Sequence, residues 1–365
     1  MSETGSWIVG VVGAGVMGAG IAQVALEAGL EVVLHDVDEG AIEAARARVR
    51  EGLVRRAARL DLDADSIDEW VDGRTVRLRV TVLLDALAGE ADLVVEAAIE
   101  DLAAKQAIFR ALGASAGPDT ILATNTSALS VAAIAAATDR PGRVLGLHFF
   151  NPVPLMPLVE VVVAPSTEPH VADRAEVAMR GWGKTPVRCR DTPGFIVNRV
   201  NRPFTLEALR MLEAGESSVE AIDAALRGAG FPMGPFELMD LTGIDVTLAT
   251  SSTIWAGLGR PDRMRPSPIA ERLVADGRLG RKTGAGFYRY TDGNRGPVDP
   301  EFVSGPSDRA PGAIAARITD AIDAEAVLAV ADGVASEADI DLALRLGAGH
   351  PEGPFERDAR LQSGT

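Results

Sequence analysis

The feature that most narrows the fold is a glycine pattern caught between two strand-like runs. Trp7-Ile8-Val9-Gly10-Val11-Val12 reads as a buried strand, Gly13-Ala14-Gly15-Val16-Met17-Gly18 follows at once, and a helical stretch runs on to about Ala28. Glu31-Val32-Val33-Leu34-His35-Asp36 is the next strand and ends on an acid. Gly13 permits the tight turn, Gly15 lets backbone approach a pyrophosphate, and Gly18 lets the helix pack close to the strand. A pyrophosphate would rest on the N–H groups at the helix start, which makes Gly13, Ala14, Gly15, Val16, Met17 and Gly18 one candidate cradle. The glycines alone would also suit a purely structural turn; the two strands, the helix and Asp36 together favour a dinucleotide. Asp36 can bond both ribose hydroxyls of NAD, whereas its charge repels the 2'-phosphate of NADP, so NAD is the expected cofactor.

Strand-like and helical stretches keep alternating through Thr75 to Val82, Ala91 to Ala98, Thr120 to Thr124, Arg143 to Leu147, Leu158 to Val163 and Thr185 to Cys189. That rhythm predicts an α/β domain over residues 1–190, a doubly wound Rossmann-type parallel sheet. Such sheets gather their ligands beyond the carboxyl ends of strands. Ser127 lies there, in Asn125-Thr126-Ser127, and so does His148, in Gly146-Leu147-His148-Phe149-Phe150-Asn151-Pro152. Glu160 is the single charge in an apolar run, and a carboxylate flanked that way needs a partner. A histidine suits, because a carboxylate on one ring nitrogen fixes the tautomer and leaves base chemistry to the other. On the pair alone, a core histidine beside an unrelated glutamate stays equally open, and Ser127 alone reads as the cap of a helix from Ala128 to Ala137.

Composition excludes several classes of partner. A net charge of -16 over 365 residues argues against nucleic acid or an anionic membrane surface, both of which need a broad basic face. No apolar run reaches the roughly 18 residues of a membrane helix, and Met1 to Gly5 lacks the character of a signal peptide. Cys189 is the only cysteine, so no disulfide framework or cysteine metal cluster is expected, which fits a reducing, cytoplasmic compartment. Against this acidity stands a local basic stripe. A long helix from Glu39 to about Leu60 and a shorter one through Val71 predict an inserted helical hairpin, with Arg48, Arg55 and Arg59 on one face and Arg56 beside them. The stripe is either a solvated face or a hold for an anionic ligand.

Asp191-Thr192-Pro193-Gly194-Phe195 marks a boundary, after which the chain reads as helical to about Gly277. This predicts an all-α domain over residues 191–292, then a linker from Gly293 to Pro311 that is rich in Gly, Pro and Asp. The tail, residues 310–365, is a partial second copy of the α domain. Pro193-Gly194 matches Pro311-Gly312, Arg199 matches Arg317, Glu207 matches Glu325, and Asp223 matches Asp341. After one inserted residue, 228–237 matches 347–356, while Asn198 is answered by Ala316.

From the first strand to about Tyr290 these motifs resemble the L-3-hydroxyacyl-CoA dehydrogenase family. The resemblance is carried by the glycine pattern with Asp36, Asn125-Thr126-Ser127, His148 to Pro152, Asp191 to Arg199, Pro232 to Glu237 and Gly280-Arg281-Lys282-Thr283-Gly284. It implies NAD-dependent, reversible oxidation of an L-3-hydroxyacyl-CoA, expected to be short, to the 3-ketoacyl-CoA, as in fatty acid metabolism, with no metal. His148 is then the base, Glu160 its orienting partner, and Ser127 and Asn198 the substrate contacts. Further cofactor contacts are implied at Glu100, Lys105, Asn151 and Lys282, and a CoA contact at Arg59; Gly52 stands where some relatives have a serine. Members pair their subunits through the helical domain, which implies a homodimer or, if the tail covers that surface, a monomer with an internal pseudo-dimer contact. Two rival readings are a dehydrogenase of a free hydroxy or sugar acid and a non-catalytic NAD-binding structural protein. The basic hairpin argues against the first, and the intact set of His148, Glu160, Ser127 and Asn198 against the second.

Overall fold

Near-continuous apolar runs build a central sheet, because strands covered by helices on both faces have no polar side to present. In a computed structural model, which describes residues 7–60, 62–303 and 309–363, the chain forms two units that divide after Asp191. The first contains β1 Ile8–Val12, α1 Val16–Glu27, β2 Glu31–His35, α2 Glu39–Ala57, α3 Ala64–Thr75, β3 Leu78–Thr81, α4 Leu84–Glu90, β4 Leu93–Glu96, α5 Leu102–Ser115 and β5 Ile121–Thr124. It continues with α6 Val131–Ala135, β6 Val144–Phe149, β7 Leu158–Val163, α7 Pro169–Gly181 and β8 Thr185–Arg190. The strand order is β3-β2-β1-β4-β5-β6-β7-β8. The order reverses between β1 and β4, and the glycine turn leaves β1 at that switch point. All pairings are parallel except β6 with β7, which is antiparallel and sets Leu147 opposite Val161 and His148 opposite Glu160.

The second unit holds α8 Val197–Val200, α9 Arg202–Glu213, α10 Val219–Gly228, α11 Pro235–Thr242, α12 Ile244–Gly257 and α13 Pro268–Ala275. A hairpin of β9 Tyr288–Thr291 and β10 Asn294–Val298 follows, then α14 Pro311–Ala331, α15 Glu337–Ala348 and α16 Pro354–Ser363. The helical stretch from Val197 to Glu213 is broken at Asn201, because Pro203 lacks the N–H that a continuing ladder needs and instead sits in the first turn of α9. Much of the expected linker is structured: β10 pairs with β9, and Phe302 is buried with its ring 5.1 Å from Phe287. Residues 304–308 of it lie outside the described residues. No helix among the described residues is long and apolar enough to cross a membrane, and no cluster of metal-ligating side chains occurs among them.

The tail packs on the first copy of its own repeat. Helix α14 lies against α8, α9 and α10, and α15 lies against α8. The contacts are reciprocal. Arg199 Nε meets Glu325 Oε1 at 2.8 Å, and its repeat counterpart Arg317 meets Glu207, the counterpart of Glu325, at 3.1 Å. Likewise a Cβ on Gly230 would touch Pro351 at 3.2 Å, and one on Gly349 would touch Pro232 at 3.1 Å. This exchange of equivalent partners is the signature of a two-fold, isologous interface, here within one chain.

His350 sits in that contact, 5% exposed, with Nε2 2.8 Å from Asn201 Oδ1 and its ring 4.9 Å from Phe231. Burial, reinforced by the nearby positive charge of Arg357, lowers its pKa to about 3. The unfolded chain, with a histidine near 6.5, therefore binds more protons than the folded one between those values, and stability is lost as pH falls through that window. Hydrogen-exchange protection factors in α15 and α16, which correct for the intrinsic pH dependence of exchange, should fall on acidification from pH 7 to pH 4.5 in the parent protein, and clearly less in His350→Gln; equal pH dependence of protection in both would contradict this account.

Candidate active site

The turn after β1 has the geometry that its glycines call for. Gly13 has a φ of +104°, and a Cβ there would lie 2.6 Å from the carbonyl oxygen of Ala97. A Cβ on Gly18 would collide with the Gly13 carbonyl, whereas one on Gly15 would meet nothing within 4 Å. Helix α1 starts beside this open space with no side-chain cap and no acid in its first turn. Its leading N–H groups thus suit a pyrophosphate, and the site fits NAD. Asp36 closes the far side: one carboxylate oxygen accepts from Ala14 N–H at 2.8 Å, the other from Asp38 N–H at 3.1 Å.

Two buried carboxylates lie in the sheet, Glu160 within β7 and Glu96 at the end of β4 beside this turn. Glu160, fully buried, lies opposite His148 across β6 and β7, and its Oε2 is 2.5 Å from His148 Nδ1. That bond fixes the orientation of the ring through Nδ1. The second carboxylate, Glu96 at the end of β4, has no place in the sequence reading, although it too is the one charge ending an apolar run. Glu96 accepts from Lys105 Nζ and from Thr124 Oγ1, each at 2.7 Å. Lys105, 1% exposed, also lies 3.4 Å from Glu100, whose other oxygen accepts from Thr126 Oγ1 at 2.6 Å and from Ser127 N–H at 2.8 Å. Lys105 and Glu100, expected as cofactor contacts, thus hold the Ser127 loop. Ser127 is not the helix cap: Ser130 caps α6 by accepting from Ala133 N–H at 3.2 Å. Asn125, unassigned by the sequence reading, ties this loop to β6 through Phe149 N–H at 2.8 Å.

The arginine stripe lines a cavity of about 260 Å³ in the same unit. Arg48, Arg55, Arg56 and Arg59 on or just after α2 face Asn151 and the Pro152–Leu155 loop. Arg55 and Arg56 pair with Glu51 and Glu27, but Arg48 and Arg59 meet no carboxylate among the described residues. Gly52 has a local reason: a Cβ there would strike the amide of Gln23, which is braced by a 2.7 Å bond to Glu27. Gln23 occupies the room that a serine at 52 would need.

Residues 8–192 match the domain described as "3-hydroxyacyl-CoA dehydrogenase, NAD binding domain", and residues 194–290 and, again, 312–358 match "3-hydroxyacyl-CoA dehydrogenase, C-terminal domain". The chain belongs to the 3-hydroxyacyl-CoA dehydrogenase family. Among its relatives, 3-hydroxyadipyl-CoA dehydrogenase of Escherichia coli K12 is 46% identical over 298 residues, 81% of this chain and 62% of that protein. The human mitochondrial hydroxyacyl-coenzyme A dehydrogenase is 42% identical over 77% of this chain and 90% of its own. A crystal structure of 3-hydroxybutyryl-CoA dehydrogenase from Escherichia coli K12 covers 98% of this chain and 92% of its own, with a TM-score of 0.87 and 36% identity.

As a member of this dehydrogenase family the chain is an NAD-dependent enzyme that oxidises a 3-hydroxyacyl-CoA. Two of its expected site residues lie in the second unit. Lys282 is held by both oxygens of Asp245, at 2.6 and 2.7 Å. Asn198, on α8, lines a separate cavity with Arg202 and three threonines of α11 and α12.

Proposed function

We propose that His148 is the base of this oxidation and Glu160 its orienting carboxylate, with Ser127 and Asn198 hydrogen-bonded to the oxygen on C3 of the substrate. The observation that carries the reading is the buried 2.5 Å contact between Nδ1 and Glu160. With that nitrogen engaged, Nε2 removes the C3 hydroxyl proton, and Glu160 balances the charge left on the ring. NAD, when bound, accepts the hydride from C3. His148→Gln should keep NAD binding, measured by fluorescence quenching, and lower kcat by roughly 10²- to 10⁴-fold; Glu160→Gln should lose less. Near-normal turnover in His148→Gln would sink the assignment.

The arginine cavity supports a CoA site. Arg48 and Arg59 offer cationic charge that no carboxylate among the described residues answers, and a phosphate of CoA would answer it. Arg59→Ala should raise KM for the thioester several-fold with NAD affinity unchanged, and an unaltered KM would return the stripe to a solvated face.

The tail supports a structural role. Because the first repeat copy binds its own image by exchanged contacts, its face is complementary to itself, and the tail occupies that face as a second subunit would. Removing the tail from Arg309 onward should yield a protein that dimerises or aggregates in sedimentation. A soluble truncated protein with the parent's oligomeric state would refute this.

A further inference from the structure

Arg202 carries a charge that the mechanism leaves unused. It is 9% exposed, and no carboxylate pairs with it among the described residues. Its guanidinium makes two long contacts, from Nε to the Asn198 carbonyl oxygen at 3.3 Å and from Nη1 to Ser251 Oγ at 3.5 Å, out of five available N–H donors. The other buried arginines of this unit are answered: Arg199 by Glu325 and Asp332, Arg357 by Asp323. Burial lowers the pKa of Arg202 only to about 10, so the group remains a cation at neutral pH. It also opens α9, where the helix dipole opposes a positive charge and favours a negative one. A cation held this way is in want of a counter-ion.

The counter-ion has a place to sit. Arg202 lines a cavity of about 170 Å³ with Asn198, Thr242 and Thr247, and Leu238 and Val246 supply its apolar wall; no acidic side chain lines it. Asn198 is the residue given to the substrate's C3 oxygen above, and the present inference rests on that reading. Arg202 follows it by four residues, about 6 Å at 1.5 Å of helical rise each, which a few methylene groups span. An anion at that distance from C3 belongs to the acyl chain itself. The guanidinium fork matches a carboxylate by two parallel hydrogen bonds, and the apolar wall suits the methylenes before it. We propose that the enzyme prefers a 3-hydroxyacyl-CoA whose acyl chain ends in a carboxylate a few carbons beyond C3, and that Arg202 is the specificity-determining residue that binds this carboxylate.

The test compares two six-carbon substrates that differ only at the far end, 3-hydroxyadipyl-CoA and 3-hydroxyhexanoyl-CoA, with NADH formation as the readout. In the parent, kcat/KM should favour the carboxylate by on the order of 10²-fold or more, since a site built for a polar group rejects the analogue lacking it. The terminal methyl ester of the adipyl substrate, which keeps the length and removes the charge, should behave like the hexanoyl compound. Arg202→Met should bring the adipyl-to-hexanoyl ratio close to one. Equal kcat/KM for acid and methyl-terminated substrates in the parent, an ester as good as the acid, or a ratio unchanged in Arg202→Met would each overturn the inference. Should Arg202→Met fail to fold, the three parent measurements decide alone. No NADH from any 3-hydroxyacyl-CoA would instead strike the dehydrogenase reading and take this inference with it.

Discussion

Glu160 is a carboxylate with no exposed surface in the middle of a sheet, and the strands around it are arranged to make that tolerable. A buried carboxylate persists only where hydrogen-bond partners replace water. His148 supplies one in a single register of β6 against β7. A slip of one residue would set Val159 or Val161 opposite His148 and turn every side chain of β7 to the other face. The one antiparallel pairing in an otherwise parallel sheet is therefore tied to the site, and β8, paired with β7 in parallel, inherits its register. The same problem recurs at Glu96, where Lys105 and Thr124 are the answer. From there the network passes through Glu100 to the Ser127 loop. Two buried carboxylates thus position His148 on β6 and the Ser127 loop of the first unit through ordinary satisfaction of charge.

How much of this was legible follows from how local each constraint is. The glycine turn could be read directly, since a positive φ at Gly13 and the close helix packing at Gly18 admit no side chain. Glu160 announced itself as one charge in an apolar strand. By the same rule Glu96, which ends Leu93-Val94-Val95, was there to be found. The break at Asn201 was also legible, in the proline of the first turn of α9. Other features exist only after packing. Gly52 is explained by an amide on another helix, and the pairing of Lys105 with Glu96 at 2.7 Å appears only once α5 is packed beside β4. Arg202 looks like a surface residue in Asn201-Arg202-Pro203-Phe204, because nothing local says that α11 and α12 cover it.

The repeat shows the same division between local and packed information. Register-keeping matches reveal two copies, and the family resemblance leads to the expectation that the tail covers the pairing surface of the first. That requires a two-fold relation, and its evidence is the exchange of Arg199–Glu325 for Arg317–Glu207. The two halves of the exchange have since diverged. Arg199 and Glu325 are each 1% exposed, and there a bare ion pair would barely repay its desolvation. This pair is accordingly widened into a balanced group of four charges, with Asp332 on Arg199 at 2.6 Å and Arg263 on Glu325 at 2.7 Å. Its counterpart lies nearer water, Arg317 being 31% exposed, and draws on Arg210 and Glu216 instead. A subunit interface with strict symmetry must use the same residues twice. Joined in one chain, the two copies were free to bury one half of the contact deeply and leave the other wet, which converts a reversible association into part of the core of the second unit.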